Sequence, residues 1–297
     1  MGAGGRRAAA AARGGAARRR LRRGGRPGHP GLPAAQVAAA PGSVRARISN
    51  LLHDGAPAAT HTAAGGAVYV SPQPGPEGAK VFFFTRLGGV SRPPFDSLNV
   101  SVKVGDDPDA VAGNISTIRE ALGGGPSAWV KQVAGDGVLR VTEGGFAGEA
   151  DALVTSTEGL SLNVAVADCV PVALVGQDEV AMIHSGWRGT LAGISGKAAG
   201  RMAVGAKRAY IGPCIRGCCY EVSEELAGAF AAEFGDGVVS GRNLSLPGAI
   251  RTDLERSGVE VTDLGLCTGC RPDLFFSHRK QKPATGRSLA AVVKVGR

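Results

Sequence analysis

The sequence predicts a mixed α/β (α+β) fold in a single domain, on three observations. The chain has 297 residues, 43% of them hydrophobic, which is enough to form a sizeable core. Three short apolar runs, 162–166, 172–175 and 180–183, follow one another closely and are typical of neighbouring buried strands. Helical and strand-like segments alternate only partly, which indicates a mixed α/β fold in one domain.

The remaining elements follow from apolar periodicity and from turn residues. The predicted strands are 67–70, 81–85, 138–141, 162–166, 172–175, 180–183, 208–211 and 289–295. The predicted helices are 109–122, 189–202, 224–234 and 247–257. Glycines 123–125 end the first helix. No internal repeat is apparent.

The first 47 residues form an arm rich in Ala, Gly, Arg and Pro, without apolar periodicity. Such a segment cannot bury enough surface to offset its ordering entropy, so we expect disorder. Three interpretations stay open: an over-extended translation start, a basic tail for anionic polymers, and an organelle presequence. The catalytic domain is expected at residues 66–297.

The net charge of +9 comes from this arm. Eleven arginines and no lysine or acid lie in residues 1–47, so the other 250 residues carry a net charge of −2. A nearly neutral domain predicts no general nucleic-acid surface. No run of about eighteen apolar residues occurs, so no membrane span is predicted either.

The cysteines indicate a reducing compartment. The chain has six cysteines and no secretory apolar segment, so we expect free thiols and a cytoplasmic location. Cys267 and Cys270 have CxxC spacing, and Cys218 and Cys219 are adjacent. A structural zinc, a redox pair and plain thiols are the alternatives for these four residues.

A thiol and an imidazole mark the candidate active site. Asp168 and Cys169 end one apolar run, and His184 ends the next but one. Strand ends hold reactive groups rigidly beside a substrate, so this pair predicts a metal site or a Cys–His nucleophile. Asp168 would orient His184 or a substrate hydroxyl, or cap the following turn. The alternatives are a buried apolar thiol and a structural histidine.

Several ordered motifs resemble one family. They are Phe84-Thr-Arg-Leu-Gly-Gly-Val-Ser91, Ser97-Leu-Asn99, Val104-Gly-Asp-Asp-Pro108, Lys131-Gln-Val133, Ala150-Asp-Ala-Leu-Val-Thr155, Ala167-Asp-Cys169, Pro171-Val172, His184-Ser-Gly-Trp-Arg-Gly189, Ile211-Gly-Pro213, Tyr220-Glu-Val222, Cys267-Thr268, Phe275-Phe-Ser-His-Arg279 and Gly286-Arg287. From about residue 82 onward the chain resembles the YfiH-like family, formerly called multicopper polyphenol oxidases or laccase-domain proteins and now regarded as zinc-dependent purine nucleoside phosphorylases.

The resemblance implies a fold and a reaction. The implied fold is a layered α/β sandwich, related in shape to toxin deamidases that use a Cys–His pair. The implied reaction joins phosphate to C1′ of adenosine, inosine, guanosine or methylthioadenosine and releases the base and ribose 1-phosphate. Adenosine deamination is an implied side activity of the same pocket.

The chain departs from the family at the implied zinc site. Family members place a histidine after Lys-Gln-Val, and it binds zinc with the Ala-Asp-Cys thiol and the His-x-Gly-Trp-Arg-Gly histidine. Here that position is Ala134, which has no donor atom, so only Cys169 and His184 are left. A third ligand could come from Asp136, Asp168 or Cys214. Either zinc binds weakly and turnover is slow, or the thiol and imidazole act without metal.

Candidate substrate contacts follow from the resemblance and from charge. Arg86 and Arg188, with Arg287 as a weaker third, are candidates for phosphate, because guanidinium donates two parallel hydrogen bonds. The alternative for each is a salt bridge between loops. Asn99, in Ser97-Leu-Asn99, would hold a ribose hydroxyl or belong to a turn. Gly88 and Gly89 would let backbone N–H groups approach an anion or form a turn, and Trp187 would stack on a purine or pack.

Three functions remain as hypotheses. The first is a purine nucleoside phosphorylase with a modified metal site, whose partners are a purine nucleoside and phosphate. The second is a metal-independent Cys169–His184 thiol hydrolase or deamidase. The third is a binding relic that has lost catalysis. A copper phenol oxidase is the least favoured, since copper centres need more histidines. The oligomeric state stays open.

Overall fold

Two stacked β-sheets form the centre of the molecule, and the computed structural model describes residues 57–296. The first sheet has seven strands. In spatial order they are β1 (Ala58–Thr62), β2 (Val68–Pro72), β3 (Ala79–Phe84), β15 (Ser288–Lys294), β8 (Ser161–Val166), β4 (Ser127–Lys131) and β6 (Gly145–Glu149). Neighbours are antiparallel from β1 to β8 and parallel from β8 to β6.

The second sheet has six strands. In spatial order they are β14 (Glu260–Asp263), β11 (Ala206–Ile211), β9 (Val170–Gly176), β10 (Val180–Ser185), β7 (Ala152–Thr155) and β5 (Val138–Arg140). The two outer pairs are parallel and the inner pairs antiparallel. A small hairpin of β12 (Val239–Ser240) and β13 (Asn243–Leu244) lies apart.

Helices cover both outer faces. They are α1 (Pro108–Ala121), α2 (Trp187–Leu191), α3 (Ile194–Arg201), α4 (Glu224–Phe234) and α5 (Leu246–Arg256), with single 3-10 turns at Val102–Val104 and Asp236–Val238. The helix α1 packs on the first sheet through Ile118. The other helices pack on the second sheet through residues such as Ile194, Phe230 and Ile250.

Alternation along the strands builds this sandwich. In β3, Val81 and Phe83 face the second sheet, whereas Phe82 and Phe84 face the helix α1. A strand buried on both faces reads as a continuous apolar run, which is why the sequence identified it. The resulting layers are helix, sheet, sheet and helices, so the expected layered α/β sandwich is confirmed.

One predicted helix is in fact two. The sequence predicted a single helix over 189–202, but α2 ends at Leu191 and α3 begins at Ile194. Gly193 lies between them with φ 72°, a left-handed conformation that a continuous α-helix cannot contain and that glycine adopts without strain.

The strand β1 begins eight residues before residue 66, where the sequence analysis expects the domain to start, and it pairs with β2. The predicted arm at 1–47 lies outside the described residues. Among the described helices, none has both the length and the apolar character needed to cross a bilayer.

Candidate functional site

Cys169 lies where the chain passes from one sheet to the other. Residues 167–169 link β8 of the first sheet to β9 of the second. Asp168 turns the chain there with φ 83°. Its carboxylate accepts hydrogen bonds from Thr268 Oγ1 and from the backbone N–H of Arg279, both at 2.6 Å. This short link is therefore fixed from both sides, and it leaves the Cys169 side chain partly exposed.

His184 lies beside Cys169 through the pairing of β9 with β10. His184 is opposite Pro171 in this ladder and is 9% exposed. A Cβ atom on Gly186 would lie 3.2 Å from Cys169 Sγ and 3.9 Å from His184 Cε1. The sulfur and the ring therefore converge on one small space, and the thiol contributes to the raised pKa of His184.

Asp151 orients the imidazole. Its fully buried carboxylate accepts a hydrogen bond from His184 Nδ1 at 2.7 Å. It also accepts the backbone N–H groups of Val133, Ala134 and Gly135 at 3.1, 3.1 and 2.8 Å. Since Nδ1 is occupied by Asp151, Nε2 is the ring nitrogen that is available on the side of Cys169. The order Asp151, His184, Cys169 is that of a carboxylate–imidazole–thiol triad.

The sequence predicted that Asp168 orients His184, and the structure assigns that contact to Asp151. The two carboxylate oxygens of Asp168 instead accept hydrogen bonds from Thr268 and Arg279, which lie in distant loops and not in the turn that follows Asp168. Asp151 was visible only as a member of a motif. The feature that brings Asp151 to His184 is the pairing of β7 with β10, which places Ala152 opposite Ile183. The local sequence pattern does not predict pairing between strands that are distant in the chain.

The electrostatics favour a charged pair. Burial lowers the pKa of His184, but hydrogen bonds to Asp151 and Cys169 outweigh it and raise this pKa to about 9. Burial raises the pKa of Asp151, whereas the bonds from His184 and from the Gly135 N–H lower it by more, so the net shift is downward. Near neutral pH, His184 is therefore an imidazolium and Asp151 a carboxylate.

A cleft of about 1330 Å³ opens over these residues. Cys169 and His184 line it together with His278 and Arg287. Trp129 and Phe146 also line it and are 49% and 61% exposed. Burial lowers the pKa of Arg287, and attraction to Cys169 and Asp168 opposes that shift. The cleft thus combines several basic side chains, two histidine rings and exposed aromatic rings, which suits a ligand with a planar apolar part and an anionic part.

The predicted phosphate arginines lie in different places. Arg287 lines the cleft and donates to the carbonyl oxygens of Thr285 and Gly286 at 3.1 and 2.9 Å. Arg86 is buried, donates to the carbonyl oxygens of Asp96 and Pro272 and pairs with the Asp96 carboxylate at 3.0 Å. It does not line the cleft, and its contacts are those of the alternative, a bridge between loops.

Arg188 and Trp187 contact one another outside the cleft. The guanidinium of Arg188 lies 4.3 Å from the centre of the Trp187 ring. Trp187 packs against the core beneath the helices, as its packing alternative predicted, and neither residue lines the cleft.

Asn99 supports Arg287 from behind the cleft. Its fully buried amide oxygen accepts the backbone N–H of Arg287 at 2.8 Å, and its amide nitrogen donates to Asp106 Oδ2 at 2.8 Å. Gly88 has φ 90°, and a Cβ there would lie 2.0 Å from the Gly66 carbonyl oxygen. Gly88 therefore belongs to a tight contact between two loops.

The residues at Cys169 and His184 do not fit a three-ligand zinc site. Catalytic zinc takes three protein ligands, and Ala134 supplies none. Asp136 pairs with Lys197, Asp168 holds two other loops, and Cys214 is fully buried. Within residues 57–296, one set of three or more potential ligand atoms lies within 4.8 Å of one another, and it consists of Cys218, Cys219, Cys267 and Cys270.

Known proteins match the chain over most of its length. Residues 80–294 match the family described as multi-copper polyphenol oxidoreductase laccase. The chain is 36% identical over 242 residues to purine nucleoside phosphorylase YfiH of Escherichia coli, covering 75% of this chain and 97% of that protein. It is 38% identical over 224 residues to a purine nucleoside phosphorylase of Deinococcus radiodurans, with 71% and 87% covered.

Two solved structures have the same fold. A DUF152 protein of Neisseria meningitidis superposes with a TM-score of 0.70 at 30% identity, over 77% of this chain and 99% of that one. YlmD of Geobacillus stearothermophilus superposes with a TM-score of 0.68 at 30% identity, over 74% and 93%. The expected resemblance is confirmed by sequence and by fold, and the chain belongs to the YfiH-like, laccase-domain family.

Proposed function

We propose that the cleft binds a purine nucleoside and phosphate and transfers the ribosyl group from the base to phosphate. Relatives named purine nucleoside phosphorylase, matched over nearly their whole length, support an activity of this kind. The observation that carries the proposal is the meeting of Arg287, the His184 imidazolium and His278 at one cleft with exposed aromatic walls. Adenosine, inosine, guanosine and methylthioadenosine are the proposed substrates, and adenosine deamination a proposed side activity.

The residues divide the reaction between them. Arg287 binds phosphate through charge-assisted hydrogen bonds, and Trp129 and Phe146 hold the purine. The bond from C1′ to the base nitrogen breaks as a phosphate oxygen bonds to C1′. His184 donates its Nε2 proton to the departing purine, and Asp151 stabilises the imidazolium beforehand. Positioning and preorganised charge supply the catalysis, and no step uses a metal at Cys169 and His184.

Release of free adenine from adenosine, measured with and without phosphate and with a metal chelator, tests the proposal. We expect release to depend on phosphate and to persist in chelator, with turnover slowed by the missing family histidine. Arg287→Met should raise the KM for phosphate at least tenfold, about 1.4 kcal/mol, with a smaller effect on the KM for adenosine. Arg208→Met removes an exposed arginine paired with Glu260 at the sheet edge and serves as the matched control. An unchanged KM in Arg287→Met would refute the phosphate assignment.

The triad favours a second candidate, a metal-independent thiol hydrolase or deamidase. Cys169 Sγ lies beside the ring of His184, and Asp151 holds that ring through Nδ1, which is the arrangement of an activated thiol. Ammonia release that needs no phosphate, survives chelator and disappears in Cys169→Ala would support this function. A folded protein with neither activity would instead be the binding relic.

A further inference from the structure

Four cysteines that the proposed function does not use meet near the turn at Asp168, which accepts a hydrogen bond from Thr268, the residue after Cys267. Cys218 and Cys219 follow β11, and Cys267 and Cys270 follow β14. These strands are parallel neighbours at the edge of the second sheet. Parallel neighbours end at the same edge, so the two loops emerge side by side.

The four sulfurs have the spacing of a metal-binding tetrahedron. All four Sγ atoms lie within 4.8 Å of one another. Cys218 Sγ lies 3.5 Å from both Cys267 Sγ and Cys270 Sγ, and Cys219 Sγ lies 3.5 Å from Cys270 Sγ. With zinc–sulfur bonds of about 2.3 Å, the edges of a tetrahedral site measure about 3.8 Å.

The surrounding backbone fits a thiolate cluster. A Cβ on Gly269 would lie 2.9 Å from Cys219 Cβ and 3.0 Å from its sulfur. The glycine of the CxxC segment is therefore what lets the Cys219 loop approach it. Four thiolates around one divalent cation carry two negative charges. Lys280 is a nearby cation, since its side chain lies 3.5 Å from a Cβ placed on Gly269, whereas Arg216 is already paired with Asp263.

We propose that Cys218, Cys219, Cys267 and Cys270 bind one Zn²⁺ as a structural tetrathiolate site, separate from Cys169 and His184. Zinc is the ion that four thiolates with closed tetrahedral coordination favour. A redox-active disulfide would need only two sulfurs, whereas here the sulfurs of all four cysteines converge.

The site also has a positioning role for the candidate active site. Thr268, inside the CxxC segment, donates to the carboxylate of Asp168, the residue before Cys169. The backbone N–H of Thr268 donates to the Cys214 carbonyl at 3.0 Å. Zinc that closes the two loops would therefore hold Thr268 in place and stabilise the turn that presents Cys169.

Zinc analysis in a Cys169→Ala background tests the proposal, because that variant keeps only one donor at the other position. Protein purified under reducing conditions without chelator should contain about one zinc per chain. Adding Cys270→Ser, an exposed position, should reduce zinc at least fivefold. Adding Cys214→Ala should leave it unchanged, since Cys214 is a buried cysteine outside the cluster.

Cobalt gives a second readout on the unmutated chain. Apo protein titrated with Co²⁺ should show thiolate-to-cobalt charge-transfer absorption and the visible bands of a tetrahedral ion, saturating at one equivalent. Three results would each overturn the proposal: no zinc and no cobalt spectrum in reduced, folded protein; full zinc content in the Cys270→Ser variant; or a disulfide among these cysteines in anaerobically purified protein.

Discussion

The carboxylate of Asp151 connects the 133–135 loop to His184 in the candidate active site. It holds the 133–135 loop through backbone N–H groups and holds His184 through Nδ1. Because both oxygens are buried, neither bond can be replaced by water. One residue thus sets the charge state of His184 and the position of the loop that carries Ala134.

Replacing Asp151 with Asn should destabilise the fold by about 3 kcal/mol, since it removes one partner of a buried charged pair. The raised pKa of His184 means that the stability it contributes is complete below about pH 6.5 and is lost as pH rises through about 9. Because the pKa of Asp151 lies below its ordinary value of 3.8, this carboxylate adds stability above pH 3.8, and that stability is lost in acid. The difference between wild type and variant should therefore be largest between pH 4 and 6.5.

Urea unfolding at pH 6 and pH 10 measures this difference. Asp178→Asn, in the exposed turn between β9 and β10, is the control and should show no such pH dependence. A difference that grew toward pH 10 would contradict the assigned charge state of His184.

Ala134→His should create the donor that the chain lacks. The position has φ 57°, which histidine tolerates better than most residues, and its backbone N–H donates to Asp151, the residue that holds His184. A third ligand should tighten zinc binding at Cys169 and His184 at least tenfold. Competition with a chelator in a Cys270→Ser background measures it, and Ala134→Asn is the matched control without an imidazole. Equal affinity in both variants would show that the loop does not face the metal position.

At the scale of elements, the contact between the two sheets places the turn that carries Cys169. Gly212 directly follows β11 and faces Phe83 of β3, on the other sheet. A Cβ there would lie 2.3 Å from the Phe83 ring, and Phe83 is buried. The sheets therefore approach closely at this end, where the 167–169 link crosses between them.

Gly212→Ala should lower the free energy of unfolding by about 1–3 kcal/mol, because the methyl group overpacks this interface. Gly228→Ala is the matched control. Gly228 lies inside α4 with no atom within 4 Å of an added Cβ, so alanine should raise stability by about 0.5–1 kcal/mol. Denaturant unfolding of both variants measures these free energies. Equal changes in the two variants would refute the close contact between the sheets at Gly212.

At the scale of the whole molecule, charge is divided unevenly along the chain. The first 47 residues contain eleven arginines, and the other 250 carry a net charge of −2. Polyanion binding driven by charge falls with salt, so it should depend on the arm alone.

Deleting residues 1–47 should abolish retention on a heparin column while shifting Tm by less than about 2 °C. Full-length protein should elute earlier as salt rises. Retention of the shortened chain at low salt would instead assign the anion-binding surface to the domain.

The local sequence pattern was enough to predict the strongly apolar strands and helices. The strands β8, β9 and β10 and the helices α4 and α5 were predicted nearly at their observed limits, because buried strands and capped helices have distinct signatures. The strands β1, β4, β6, β7, β12, β13 and β14 were missed. They are short, and several are partly exposed, so propensity alone does not distinguish them from loops.

The family, the layered α/β class and the thiol and imidazole at strand ends could be predicted from the sequence, because ordered motifs and apolar runs identify them. The partners of those groups became apparent in the folded structure. It selected Asp151 rather than Asp168 for His184, Arg287 rather than Arg86 for the cleft, and gathered four cysteines from two loops. These contacts arise from pairing between strands that are distant in the chain, and local sequence patterns do not predict such pairing.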